Sequence, residues 1–208
     1  MMGVMANRLA ADAAAGAEDR AVDTLSRWMA AEQKRVFLLC CRFLQDRDEA
    51  DSAAQDVFLK AFRALRRGGV ADLDDPSRWL TRVAVNTCLD RLRSQRWQFW
   101  RKRPDPNDEQ VMLLLARSPA PDAESQAVAA QIARRLSVAL GSLSPRQRAV
   151  FLLRHYEGMR LEEIGRVLGL ETGTVKAHLA RAIARLREDL KDLYGVSRGK
   201  RAGKEAER

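Results

Sequence analysis

The sequence predicts an all-α protein: two small helical domains joined by a flexible linker, the C-terminal one a helix-turn-helix domain. Three observations predict it. Apolar residues recur at steps of three and four along most of the chain, which places them on one face of a helix. Helix start and stop signals punctuate that pattern, among them Asp46–Asp51, Ser144-Pro145-Arg146-Gln147 and Gly169. Between Pro104 and about Gln131 the pattern gives way to Pro104, Pro106, Pro119 and Pro121 set among acidic and small residues. The expected division is an arm over 1–20, a first domain over 21–101, a linker over 102–131, a second domain over 132–195 and a basic tail over 196–208.

The first twenty residues are rich in alanine but interrupted by Arg8, Asp12, Glu18 and Asp19, and are expected as a disordered arm. From Val22 onward, Leu25, Trp28, Met29, Val36, Leu39, Cys40 and Phe43 predict one long helix, or two abutting ones, ending near Leu44. Asp46–Asp51 restarts the helix, with Asp48 the expected cap and the acids matched to the positive end of the helix dipole. Behind it Ala54, Val57, Phe58, Ala61, Phe62 and Leu65 form an apolar stripe, with Gln55, Asp56, Leu59, Lys60 and Arg63 off it. Such acids either cap and solvate a helix or form a patch that docks a basic partner beside Leu59, and the residues alone favour the first.

Arg66–Pro76 is a loop, with two glycines, three aspartates and a proline. The next helix, Ser77 to about Arg96, buries Leu80, Val83, Ala84, Thr87 and Cys88, widened by Val85, Leu89 and Leu92. It leaves a narrow polar stripe of Arg78, Arg82, Asn86, Asp90 and Arg93. Arg91 falls on the apolar side, which makes sense only if it projects past the end of the core. From Arg91 to Arg103 six basic residues and no acid interleave with Trp97, Phe99 and Trp100. That mixture suits single-stranded nucleic acid, where cations track phosphates and rings stack on bases. Rings that close a core under solvated arginines would give the same pattern.

Within the linker the apolar run Val111–Ala116 should dock somewhere. Helical pattern returns with Ile132, Leu136, Leu140 and Leu143. Ser144 and Gln147 then make a capping box with proline at the first helical position. Ala149, Val150 and Leu153 point inward from that helix, with Phe151 and Leu152 beside them, and Gly158 ends it. Leu161, Ile164, Val167 and Leu168 mark a short helix stopped at Gly169. With Thr172 as N-cap, Val175, Leu179, Ile183, Leu186 and Leu190 form the inward stripe of the last helix. Its outward positions include Lys176, Ala177, Arg181 and Arg185, with no acid between Thr172 and Arg187. A helix with a basic outer face, braced across a tight turn, is what major-groove reading requires.

The net charge of +9 and pI of about 10.1 make a polyanion the expected partner. No apolar run approaches the ~20 residues of a spanning helix, and no signal-peptide core is present, so a cytoplasmic protein without membrane insertion is expected. Cys40, Cys41 and Cys88 lack metal-type spacing and read as buried free thiols. His155 and His178 have no cysteine or carboxylate constellation. No phosphate loop, dinucleotide fingerprint or nucleophile elbow occurs, so neither an enzyme nor a bound cofactor or metal is expected.

Three blocks in this order resemble the extracytoplasmic-function (ECF) sigma factors of bacterial RNA polymerase. EADSAAQDVFLKAFRAL, Glu49–Leu65, is similar to the family's polymerase-binding helix. WLTRVAVNTCLDRLRSQR, Trp79–Arg96, is similar to its minus-ten-reading helix. The stretch from Leu143 to Arg187, ending in LEEIGRVLGLETGTVKAHLARAIARLR, is similar to its minus-thirty-five-reading domain. The resemblance implies a non-enzymatic initiation factor that binds core polymerase through the β′ clamp helices and β flap, selects promoter DNA and assists strand opening. It assigns polymerase contacts to Asp48, Glu49, Asp51, Gln55, Asp56, Leu59 and Lys60. Minus-ten contacts fall to Arg78, Arg82, Asn86, Arg93 and Arg96, next to an Arg67–Pro76 loop similar to one that captures a flipped base. Minus-thirty-five contacts fall to Thr174, Lys176, Ala177, His178, Arg181 and Arg185. It further implies a linker threading the polymerase cleft and an anti-sigma factor as a second partner.

The chain departs from the family pattern at Ser52-Ala53, where an Asp-Leu pair is usual, at Arg160 and Gly165, and at Ala177-His178, where Ser-Arg is common. The last departure shifts expected specificity toward Lys176 and Arg181, with Ala177 available to a thymine methyl. The rival readings are a LuxR-like duplex-binding regulator, which needs no polymerase-binding helix, and a helical RNA-binding protein resting on Arg91–Arg103 alone.

Overall fold

The computed structural model describes residues 2–70, 73–94 and 123–191, in which every regular element is a helix. In chain order these are α1 (Met2–Leu44), α2 (Arg47–Arg66), α3 (Pro76–Arg93), α4 (Ala123–Ser142), α5 (Pro145–His155), α6 (Leu161–Leu168) and α7 (Thr172–Asp189). The basic-aromatic segment beyond Ser94 and the expected linker up to Asp122, with Val111–Ala116, lie outside the described residues, as does the basic tail.

Helix α1 packs along α2 and crosses α3. Val36, Leu39, Cys40 and Phe43 are fully buried with Val57 and Ala61 of α2 and Leu80, Ala84, Val85 and Cys88 of α3. Burying each larger side chain contributes about 1.5–3 kcal/mol. The three cysteines are free and buried. A hydrogen bond that the Cys88 thiol donates to Cys40, then burial, pushes the Cys88 thiol up, so it stays protonated.

Several boundaries differ from expectation, each for a local reason. Helix α1 begins at Met2, inside the stretch expected to be a disordered arm. Helix α4 likewise begins at Ala123, inside the expected linker. Both stretches are alanine-rich, and alanine has the highest helix propensity whether or not an apolar stripe announces the helix. The α2 cap is Asp46, not Asp48: its extended backbone brings the carboxylate to Glu49 N at 2.9 Å, and Asp48 sits in the first turn. Gln45, with φ +57°, makes the reversal between α1 and α2. Thr172 is the first residue of α7, and the N-cap position belongs to Glu171, whose side chain makes no capping bond. The Ser144–Gln147 capping box forms reciprocally, and Gly169 adopts φ +64° at the end of α6.

Helix α5 packs on α6 and α7, and α4 closes against α7. The sequence reads as two separate cores, but the buried residues form one cluster running from α1–α3 into α4–α7. The halves also touch directly, α5 lying against α1 and α3. No helix among the described residues is long and apolar enough to cross a membrane.

Candidate nucleic-acid and polymerase interfaces

Three surfaces carry the residues singled out by sequence. On α7, Val175, Ala182 and Leu186 are buried, with Leu179, Ile183 and Leu190 partly so, which fixes the outward face. Thr174, Lys176, Arg181 and Arg185 are exposed and Ala177 is half-buried. Lys176 and Arg181 make no hydrogen bond or ion pair among the described residues. Arg185 is tied back, with Nε 3.2 Å from Asp189 and 3.4 Å from the Ser142 hydroxyl at the end of α4. His178 is half-buried, and its Nδ1 is fully buried without a hydrogen-bond partner among the described residues. Burial, then Arg181 and Arg146, hold its pKa below the usual histidine value. The freely projecting face is therefore Thr174, Lys176 and Arg181 around Ala177.

Two features of the turn position that face. Glu163 reaches back to accept from Arg160 N at 2.8 Å, so the acid supplies the cap that the Arg160 side chain does not. Leu170 N donates to Gly165 O at 2.9 Å, and a Cβ on Gly165 would stand 2.6 Å from Leu170 O. Glycine at this departure from the family pattern lets the turn close tightly.

On α3, Asp75 caps the helix by accepting from Arg78 N at 2.9 Å, with Pro76 in the first turn. Arg78, Arg82, Asn86, Asp90 and Arg93 are all exposed, as the polar stripe requires. Arg78 pairs with Asp75 at 2.9 Å and with Glu163 of α6, and Arg93 lies 3.7 Å from Asp90. Arg82 and Asn86 have no such partner among the described residues. Arg96 lies outside them.

On α2, Asp48, Asp51, Gln55 and Lys60 are exposed, and Leu59 is 52% exposed, a large apolar side chain without cover. Glu49 and Asp56 differ: both are half-buried and share Arg91, at 2.7 and 2.5 Å. Arg91 also donates to the Ser52 hydroxyl at 3.0 Å. This accounts for an arginine on the apolar side of α3, since its head crosses to α2. Gln55 donates to Asp51 at 2.8 Å, and Lys60 to the Thr87 hydroxyl at 2.8 Å. Asp48, Asp51 and Leu59 are what the helix presents outward.

The polar groups that join the halves have little signal in the sequence. Arg148 is only 3% exposed and donates to Leu140 O, Gly141 O and, across the junction, Phe43 O at 2.5 Å. Arg35 of α1 donates to Thr81 at 2.8 Å and Ser77 O at 2.9 Å, and pairs with Glu157. The only sequence signal was a charged residue on an otherwise apolar face.

Comparison with known proteins matches residues 28–98 to sigma-70 region 2 and residues 130–186 to sigma-70 region 4. The chain is 38% identical to the RNA polymerase sigma-E factor of Streptomyces antibioticus, over 66% of this chain and 70% of that protein. It is 35% identical to the ECF RNA polymerase sigma factor SigM of Mycobacterium tuberculosis, over 80% and 75% respectively. In fold it is similar to the sigma factor RpoE of Bartonella quintana, solved in complex with the anti-sigma factor NepR. That likeness has a TM-score of 0.57 at 20% identity and covers 80% of this chain and 96% of the other.

Proposed function

This chain belongs to the ECF sigma factors of RNA polymerase, and from that premise we propose how its three surfaces divide the work of an initiation factor that binds core polymerase, directs it to specific promoters and assists strand opening. Catalysis stays with the polymerase. The outward face of α2, Asp48, Asp51, Gln55 and Leu59, docks the β′ clamp helices. Glu49 and Asp56 shape that face through Arg91, and Lys60 flanks it. Arg82 and Asn86, with Arg78, Arg93 and Arg96, meet the minus-ten element as it opens. Helix α7 enters the major groove at the minus-thirty-five element, with Lys176 and Arg181 as donors and Thr174 beside them, in the domain that meets the β flap. Residues 21–101 and 132–195 are the two working units. An anti-sigma factor is proposed as the regulatory partner and the cytoplasm as the site of action.

The observation that carries this reading is one chain with an uncovered acidic-apolar helix face and two separate basic reading faces. A duplex-binding regulator has use for only one of these, the basic face of α7. Mixing the full chain with sigma-free bacterial core polymerase and promoter DNA should give promoter-directed run-off transcript. Absence of binding to core polymerase would remove the sigma assignment, and duplex binding as a dimer would favour the LuxR-like alternative.

A further inference from the structure

Helix α7 carries one polar column, Thr174, His178, Arg181 and Arg185, whose members are three or four residues apart and so stand one above the other. His178 lies in the N-terminal half of α7, the part that meets base edges when a recognition helix enters a major groove. Its ring is divided between core and surface. Nδ1 is fully buried and has no hydrogen-bond partner among the described residues, while the half-buried ring keeps Nε2 at the surface. Ala177 beside it is also half-buried and adds only a methyl, so no long neighbour overtops the short imidazole on that side.

That division fixes the chemistry the ring can offer. A neutral imidazole carries one proton, on one nitrogen or the other. A buried N–H with no acceptor is a costly defect, and a rarer one than a buried acceptor left unsatisfied. At the surface, Nε2–H can donate to water or to a ligand. The proton therefore belongs on Nε2, and the buried Nδ1 stays bare. A second proton would have to sit on Nδ1, buried and unpaired, and would place a charge near Arg181 and Arg146. The ring thus presents one N–H outward, with no charge and no outward lone pair.

The major-groove edges of the bases sort by that chemistry. Guanine offers N7 and O6, adenine N7 and thymine O4, all of them acceptors, whereas cytosine offers only the N4 donor. We propose that His178 is a specificity-determining residue of α7: its Nε2–H donates to a base acceptor and excludes cytosine at one position of the minus-thirty-five element. The proposal rests on the promoter reading above. It gives a neutral donor the place where arginine is common in the family. An arginine there would be attracted to the phosphates of any sequence. The neutral ring gives up that attraction and keeps the preference among bases.

The test is a selection from DNA duplexes randomised across the minus-thirty-five element, run with the full chain on core polymerase and with the full chain alone at low salt. The wild type should deplete cytosine at one position about three- to tenfold relative to the other bases, the effect of one hydrogen bond left unmade. His178→Ala should lose that depletion and leave every other position as it was. His178→Gln, whose amide both donates and accepts, should take cytosine there as readily as the other bases. Neither variant should change the slope of log affinity against log salt, because neither removes a charge, whereas His178→Arg should steepen it by about one. In the free chain at pH 7, nitrogen-15 chemical shifts should place a single ring proton on Nε2. A proton on Nδ1 or a charged ring overturns the proposal. So does a wild type that tolerates cytosine at every position, or a His178→Ala loss that is uniform over all sequences. If the chain fails to bind core polymerase, the sigma assignment fails, and the selection with the chain alone still decides whether His178 reads a base.

Discussion

Arg91 of α3 donates to the Asp56 carboxylate of α2 at 2.5 Å, so an arginine from the helix assigned to DNA sets the shape of the helix assigned to polymerase. With Glu49 and Ser52 on the same guanidinium, it staples α2 to α3 beyond the end of their apolar contact. Replacing Arg91 by Met keeps the stem and removes the donors. Because both acids remain partly in water, the expected loss is about 1–2 kcal/mol in urea unfolding. A loss under about 0.5 kcal/mol would mean that water replaces the staple at no cost.

Leu59→Ala separates folding from partner binding. Leu59 is 52% exposed, so its truncation should leave stability within about 0.5 kcal/mol of the parent. Affinity for core polymerase should fall by at least about 1 kcal/mol if this side chain sits at the centre of the docking face. Parallel unfolding and binding titrations check both halves of the expectation. Unchanged affinity would remove Leu59 from the interface.

Arg181→Ala should weaken promoter binding by roughly 1–3 kcal/mol and relax preference at one base position of the minus-thirty-five element. Arg185→Ala should cost less, because Arg185 is already held by Asp189 and Ser142. Binding measured across a panel of single-base promoter variants distinguishes the outcomes. Equal weakening on every sequence would make Arg181 a phosphate contact.

Gly165→Ala tests the turn. In a helix interior this change ordinarily gains roughly 0.5–1 kcal/mol. Here the new Cβ meets the Leu170 carbonyl at 2.6 Å, a backbone atom with little freedom to move. The sign should reverse, with a loss of about 1–3 kcal/mol by thermal or urea unfolding. A gain would show that the turn relaxes easily.

The two histidines set a mildly acidic limit on stability. Burial, then Arg154, lowers the His155 pKa, and burial, then Arg181 and Arg146, lowers that of His178. Each is neutral in the fold at a pH where the unfolded chain, titrating near 6.5, already binds a proton. The unfolded state therefore holds more protons between the folded and unfolded values, and stability rises with pH across that window. The contribution is complete above the unfolded value and is lost as pH falls through the folded one. Urea midpoints should drop between pH 7.5 and 5.5, and less steeply in a His178→Gln variant. Identical slopes would show that His178 does not contribute.

Sequence by itself determined the helical class, the capping box at Ser144, the left-handed stop at Gly169 and the polar stripe Arg78, Arg82, Asn86. These follow from local periodicity and backbone stereochemistry, which a few neighbouring residues dictate. It also determined the family, because three motif blocks stand in one order. Local pattern failed at Met2 and Ala123, where alanine propensity extends helices without an apolar stripe to announce them. Only the tertiary structure decided which charges face outward. Glu49 and Asp56 look like Asp48 and Asp51 in the sequence, but Arg91 lies a whole helix away and claims two of the four. Arg185 is tied to Ser142 of α4, far away in the chain, as well as to Asp189 one turn on, and packing turns His178 half inward. The docking of the two halves belongs there too. Arg35 and Glu157 stand far apart in sequence, and a pair at that separation has no local periodicity to reveal it.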